Sequence, residues 1–188
     1  MSAHRFHPTI LRAYDIRGIF EDTLTTGDAF AIGLSFISIQ KQRGLGNEVT
    51  VGRDGRLSSP ALAAALIDGL VAGGAQVSDI GCGPTPMLYF AAHELGSGGA
   101  IQVTGSHNPP THNGFKMVMG GLSFFGADIE ELGRIIPAGP AHTDDGGVVS
   151  RAIQAPYVDC PSACPVPTGL SDMSDCAKRA RALDTGQS

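Results

Sequence analysis

Short apolar runs alternate with longer helix-forming stretches along most of this chain, and that alternation leaves few folds open. From Thr26 to Arg43 the apolar residues Phe30, Ile32, Leu34, Phe36 and Ile37 predict a helix, with Thr25 or Thr26 as its cap and Gly44 just past its end. A short strand, Glu48 to Val51, follows. Ser58-Ser59-Pro60 reads as an N-cap with proline at the first helical position, opening a helix over Ala61 to Val71 that stops at Gly73-Gly74. Then come a strand from Gln76 to Ile80, a helix opened by Pro86 and running to Leu95, and a buried-strand pattern from Ala100 to Val103. Phe115 to Met119 predicts another strand, and Ala127 to Ile136 a short helix halted by Pro137. The expected fold is a three-layer α/β/α domain with a mixed, mainly parallel sheet. The connection between Val103 and Phe115 is too short for a helical crossover, so those two strands are expected to pair antiparallel.

A chain of 188 residues is long enough to close a hydrophobic core without staples. Its 26 glycines and 12 prolines imply many shaped loops, where chemistry tends to sit. A net charge of -5 argues against nucleic acid as a partner, because binding a phosphate backbone needs a surplus of clustered Lys and Arg. A small anion needs only local cations. Arg17, Arg53, Arg56 and Lys116 all fall in glycine-flanked segments that can converge on a phosphate, although Arg56 reads equally well as a solvated surface charge. No run approaches the roughly 18 apolar residues of a membrane helix, and Met1 to Thr9 has no signal-peptide core, so a cytoplasmic protein without membrane contact is expected. Cys82 stands alone, and Cys160, Cys164 and Cys176 have no histidine nearby to complete a metal-ligand spacing.

The domain is expected to span residues 1–136. Pro137 to Gly147 is rich in proline, glycine and aspartate, so residues 137–159 read as a linker. From Cys160 to Ser188 the large apolar residues Val166, Leu170, Met173 and Leu183 show no period, which predicts a disordered tail.

The segment Thr104-Gly105-Ser106-His107-Asn108-Pro109-Pro110 follows directly on a strand. A serine accepts a phosphoryl group when a tight loop holds it, donors face the phosphate oxygens and a cation offsets the moving charge. Gly105 lets the backbone turn, successive amides can form an anion-binding nest, and the two prolines stiffen the exit. His107 and Asn108 add side-chain donors, and Lys116 lies within reach if the strands pair. Neither Gly44-Leu45-Gly46 nor Gly81-Cys82-Gly83 completes a dinucleotide fingerprint, there is no P-loop, and Ser106 lacks the G-x-S-x-G elbow of a hydrolase.

This serine string, with Asn113-Gly114-Phe115-Lys116 after it, closely resembles the active-serine signature of the α-D-phosphohexomutase superfamily, in its phosphomannomutase/phosphoglucomutase branch. Tyr14-Asp15-Ile16-Arg17-Gly18, Val51-Gly52-Arg53-Asp54-Gly55-Arg56 and Gly83-Pro84-Thr85-Pro86 resemble the same family in the same order, over about residues 10 to 136. Thr111-His112 departs from it, since many members carry an acidic residue there.

The resemblance implies domain I of such a mutase. Ser106 is then the phosphoryl carrier between the 1 and 6 positions of a hexose phosphate and, through its phosphate, a ligand of Mg²⁺. Arg17 and Lys116 stabilise the transferring charge or assist proton movement, His107 and Asn108 shape the site, and Tyr14 helps position substrate. The implied partners are a hexose phosphate and a hexose 1,6-bisphosphate. Arg53 and Asp54 are read as an internal ion pair bracing a loop. The family's Mg²⁺ aspartates, sugar-recognition and phosphate-clamping segments find no counterpart, and the change of character near Cys160 suggests a truncated or frame-shifted product. The expected function is phosphohexomutase chemistry by family, with the chain alone an inactive fragment. The alternatives are a non-catalytic remnant that binds phosphosugars or a partner, and a phosphoglucosamine mutase fragment.

Overall fold

The computed structural model describes residues 4–138 and 145–163. Strand β1 (Ile16–Ile19) leads into helix α1 (Thr26–Gln42), then β2 (Glu48–Arg53), α2 (Ser59–Ala72), β3 (Gln76–Cys82) and α3 (Thr85–Glu94). Strands β4 (Gly99–Val103), β5 (His112–Met119) and β6 (Leu122–Ser123) follow, then α4 (Ala127–Ala138), β7 (Gly147–Ser150) and α5 (Gln154–Ala163). The sheet order is β1-β5-β4-β2-β3-β7, with β6 paired to β5. β2, β3, β4 and β7 pair in parallel, while β5 is antiparallel to β1, β4 and β6. β5 therefore runs against all the other described strands, and the mixed, mainly parallel α/β/α expectation holds.

Two apolar clusters lie on opposite faces of the sheet. On one face, Val51, Val103, Phe115 and Met117 pack with Ile32, Phe36, Leu66 and Leu132 of α1, α2 and α4. On the other, Ile80 and Ala100 meet Met87, Leu88 and Ala91 of α3, with Ile153 beside them. The alternation along β5 follows from this: Phe115, Met117 and Met119 enter the first cluster, whereas Val118 packs against the second. Helices α1 and α2 touch through glycine. A Cβ on Gly69 would lie 2.0 Å from the Phe30 carbonyl oxygen, and one on Gly33 would lie 2.3 Å from that of Leu66.

Local rules account for most element ends. Thr25 caps α1 in a reciprocal capping box with Asp28, and Gly44 turns away at φ +69. β2 runs two residues past Val51, because its parallel ladder to β4 continues through Gly52 and Arg53 and that to β3 resumes at Arg53 after a register shift, where the apolar pattern has stopped. Ser58 stands at the N-cap of α2 but makes no capping bond with its side chain, and Pro60 falls at the second helical residue. Helix α3 starts at Thr85, one residue before Pro86, and α4 extends through Pro137 to Ala138 rather than halting there.

The expected linker is the largest correction. Residues 147–150 form β7, an added parallel strand in register with Gln76–Asp79 of β3, and residues 154–163 form α5. Parallel pairing supplies what composition could not signal, since the backbone groups of β7 are satisfied by β3 whatever precedes it. α5 also covers the first four residues of the expected tail, Cys160 to Ala163. The rest of that expectation, residues 164–188, lies outside the described residues, as does the segment 139–144.

Candidate active site

The serine loop leaves the sheet at the end of β4, and Ser106 itself has φ +51, a left-handed backbone uncommon for a residue with a side chain. Three tethers hold it there. The Gly105 amide donates to Asp54 Oδ2 at 3.0 Å, the Ser106 amide donates to the Thr104 hydroxyl at 2.9 Å, and the Asn108 amide donates to the Gly105 carbonyl at 3.0 Å. Gly105 is therefore not the residue with the positive φ. Its missing Cβ leaves space that the Arg56 guanidinium occupies, with Cζ 2.2 Å from where a Cβ would stand.

Arg56 crosses under the loop from the β2–α2 connection. Nη1 donates to the carbonyls of Pro109 (2.6 Å) and His112 (3.0 Å), and Nη2 to those of Asn108 (2.7 Å) and Ser106 (3.1 Å). Nε lies 3.3 Å from Asp54 Oδ2. Arg56 is thus neither a surface charge nor a free phosphate ligand. The ion pair expected between Arg53 and Asp54 forms instead between Arg56 and Asp54. Arg53 lies within β2, whereas Arg56 follows the turn that brings it back over Asp54.

Asp54 is also the centre of a polar chain that reaches across to β5. Burial by itself favours its neutral form, but hydrogen bonds from the Ser59 hydroxyl, the Arg56 and Gly105 amides and the Thr104 hydroxyl outweigh that and hold its carboxyl below the ordinary aspartate range. Ser59 accepts in turn from Asn113 Nδ2 at 2.9 Å, and Ser58 accepts from the same nitrogen at 2.8 Å. Asn113 Oδ1 accepts from the Gly114 amide at 2.9 Å. Fully buried Asn113 therefore ties β5 to the start of α2 beneath the serine loop.

The two expected cations share one face of the sheet. Arg17 stands opposite Gly114 across β1 and β5, and Lys116 opposite Gln102 across β4 and β5. Both project on the side away from Phe115 and Met117. The Gly114 carbonyl also accepts the Thr104 amide, which places this level of the sheet at the root of the serine loop. Arg17 Nη2 pairs with Asp15, and its buried Nε has no partner among the described residues. Lys116 is half-buried, and among the described residues its ammonium has neither hydrogen bond nor ion pair.

Three expected roles find different settings. Asn108 Nδ2 folds back onto the Gly105 carbonyl at 3.0 Å and braces the loop. His107 is exposed beside Ser106. Tyr14 is 83% exposed and stacks on Phe125 at 6.4 Å, and no hydrogen bond or ring contact among the described residues joins it to the serine loop. The expected nest of successive free amides does not form either, because the amides of Gly105 and Ser106 are spent on Asp54 and Thr104. A concavity lined by Ile19, Phe20, Leu57, Ser58, Pro110 and Thr111 flanks the loop without including Ser106. Among the described residues no group of three or more His, Cys, Asp or Glu side chains could hold a metal ion.

The serine loop at the end of β4, with Arg17 and Lys116 on one face of the adjoining strands, belongs to a three-layer α/β/α domain. Residues 8–141 match the family model for phosphoglucomutase/phosphomannomutase, alpha/beta/alpha domain I, and the chain belongs to that family. It is 51% identical over 124 residues to a phosphomannomutase/phosphoglucomutase of Pseudomonas aeruginosa, a match covering 66% of this chain and 27% of the relative. With a phosphoglucomutase of Neisseria gonorrhoeae it shares 41% identity over 152 residues, covering 80% of this chain and 33% of that one. A crystal structure of a phosphoglucomutase/phosphomannomutase family protein from Burkholderia thailandensis superposes with a TM-score of 0.79 at 41% identity, covering 85% of this chain and 36% of that one. The chain thus spans about a quarter to a third of the length of the curated relatives it matches. Among the described residues no helix is long and apolar enough to cross a membrane.

Proposed function

We propose that Ser106 carries a phosphoryl group in phosphomannomutase/phosphoglucomutase-type chemistry, exchanging it with a hexose 1,6-bisphosphate. The observation that carries this reading is Ser106 itself, held at φ +51 on a loop tied down by Asp54 and Arg56. A serine whose backbone is fixed in this way loses less entropy when its hydroxyl meets a reacting phosphorus. In phosphoryl uptake, Ser106 Oγ forms a bond to phosphorus and the bond to the sugar oxygen breaks. The seryl proton is lost and the sugar oxygen gains one, so the sugar leaves as an alcohol. Lys116 and Arg17, on the adjoining face, offset the charge of the group in transit. When bound, Mg²⁺ would supply further charge neutralisation to the phosphoserine.

Incubation with glucose 1,6-bisphosphate should add one phosphate to the chain, read by intact-mass spectrometry and absent in Ser106→Ala. Equal phosphorylation of both proteins would remove Ser106 as the carrier.

A further inference from the structure

Four guanidinium N–H groups of Arg56 point at carbonyls of one short loop, and that fixes the orientation of the peptide planes they bind. In a trans peptide the N–H lies opposite the C=O, and the described chain has no cis peptide bond. The peptide joining Ser106 to His107 turns its oxygen inward to Arg56 Nη2, so its nitrogen, the His107 amide, faces outward on the far side of the loop. The next two peptides that Arg56 holds end on Pro109 and Pro110, which have no N–H to present. From Thr104 to Asn108, the amides of Thr104, Gly105, Ser106 and Asn108 all have partners, and that of His107 has none among the described residues.

We infer that the His107 main-chain N–H is the loop's donor to the phosphate on Ser106, and that Arg56 is the residue that positions it. The amide adjoins the seryl residue covalently and lies on the open side of the loop. Its strength as a donor follows from the same contact that orients it. A cationic N–H on the Ser106 carbonyl polarises that peptide, which makes the opposite N–H more acidic and its bond to an anion stronger. Arg56 spends its Nη protons on carbonyls and rests Nε against Asp54, so it acts on the phosphate only through the peptide. Lysine, with one ammonium, cannot reproduce four divergent contacts. The consequence for turnover rests on the proposed role of Ser106, but the donor geometry does not.

The test places phosphoserine at position 106 by co-translational incorporation, which needs no activity from the chain. Amide spectra are then compared for the serine and phosphoserine forms. The His107 amide proton should move downfield more than any other, show phosphorus–nitrogen coupling across the hydrogen bond, and exchange with solvent at least about tenfold more slowly. His107→Ala should keep the whole response, because the imidazole plays no part in it. Arg56→Lys should lose most of it while the amides of β2 and α2 stay protected. A phosphoserine form in which the residue-107 amide is unmoved, or an unaltered response in Arg56→Lys, would overturn the inference. Should Arg56→Lys fail to fold, the wild-type and His107→Ala spectra still decide the donor. Uptake from glucose 1,6-bisphosphate is followed separately, so failure of wild-type uptake would count against Ser106 as carrier and leave the donor assignment standing on the spectra.

Discussion

Replacing Asn113 with alanine should cost more than any surface substitution on this domain, and the cost can be worked from three contacts. Asn113 Nδ2 donates to Ser58 and Ser59, and Oδ1 accepts the Gly114 amide, all in a fully buried setting. At about 1 kcal/mol net for each hydrogen bond, alanine loses about 3 kcal/mol, and the Gly114 N–H left without its partner pushes the loss upward. For a chain of this size each kcal/mol lowers the melting temperature by about 3 °C, so a fall of about 10 °C is expected. The assay is thermal unfolding by calorimetry or circular dichroism, with amide exchange of the serine loop alongside. Because Ser59 also donates to Asp54, which receives the Gly105 amide, exchange should quicken from Gly105 onward before the rest of the sheet loosens. A fall below about 1 kcal/mol, the value of a single bond, would refute the claim that this side chain ties β5 to α2.

Gly69→Ala improves intrinsic helix propensity by about 1 kcal/mol yet should still destabilise, because the new methyl would stand 2.0 Å from the Phe30 carbonyl oxygen and force α1 and α2 apart. A melting temperature equal to or above wild type would contradict it. Asp54 has a folded pKa below its unfolded value, so its stabilisation is complete above the unfolded pKa and is lost as pH falls through the folded one. The stability gap between wild type and Asp54→Asn should therefore be widest near neutral pH and close in acid, and a gap constant with pH would refute the carboxylate's role. Lys116→Met should leave the melting temperature unchanged or raised, since the ammonium has no partner among the described residues, while phosphoryl uptake by Ser106 falls about 100-fold. Uptake at the wild-type rate would exclude Lys116 from the transfer.

The sequence made the serine legible because its loop is contiguous. Residues 104 to 110 lie in one run, and glycine and proline punctuate it. The groups that hold the loop were not legible in the same way. Asp54 and Arg56 lie about fifty residues before it, and only parallel pairing of β2 with β4 brings them beneath it. Arg53 and Arg56 are equivalent as letters in Gly52-Arg53-Asp54-Gly55-Arg56, and only the turn after β2 separates a strand residue from one that returns over the carboxylate. Asn113 read as part of a motif, but its bonds to the start of α2 required knowing that β5 runs past that helix end. Helix α1 was legible because it buries most of its apolar residues and its cap is local, and α2 because Leu62, Leu66 and Leu70 recur at helical spacing behind Pro60. β7 was missed because four residues next to a proline, glycine and aspartate stretch carry too little pattern to be told from a linker.

Strand β7 changes where a workable cut through this chain can fall. The family match stops at residue 141, whereas β7 begins at Gly147 and is hydrogen-bonded along β3 from Gln76 to Asp79. A chain ended at 141 would strip β3 of its outer neighbour and leave a parallel strand as a rim with open N–H and C=O groups, Asp79 being the one charge within it. Such a shortened chain should therefore be prone to self-association through β3.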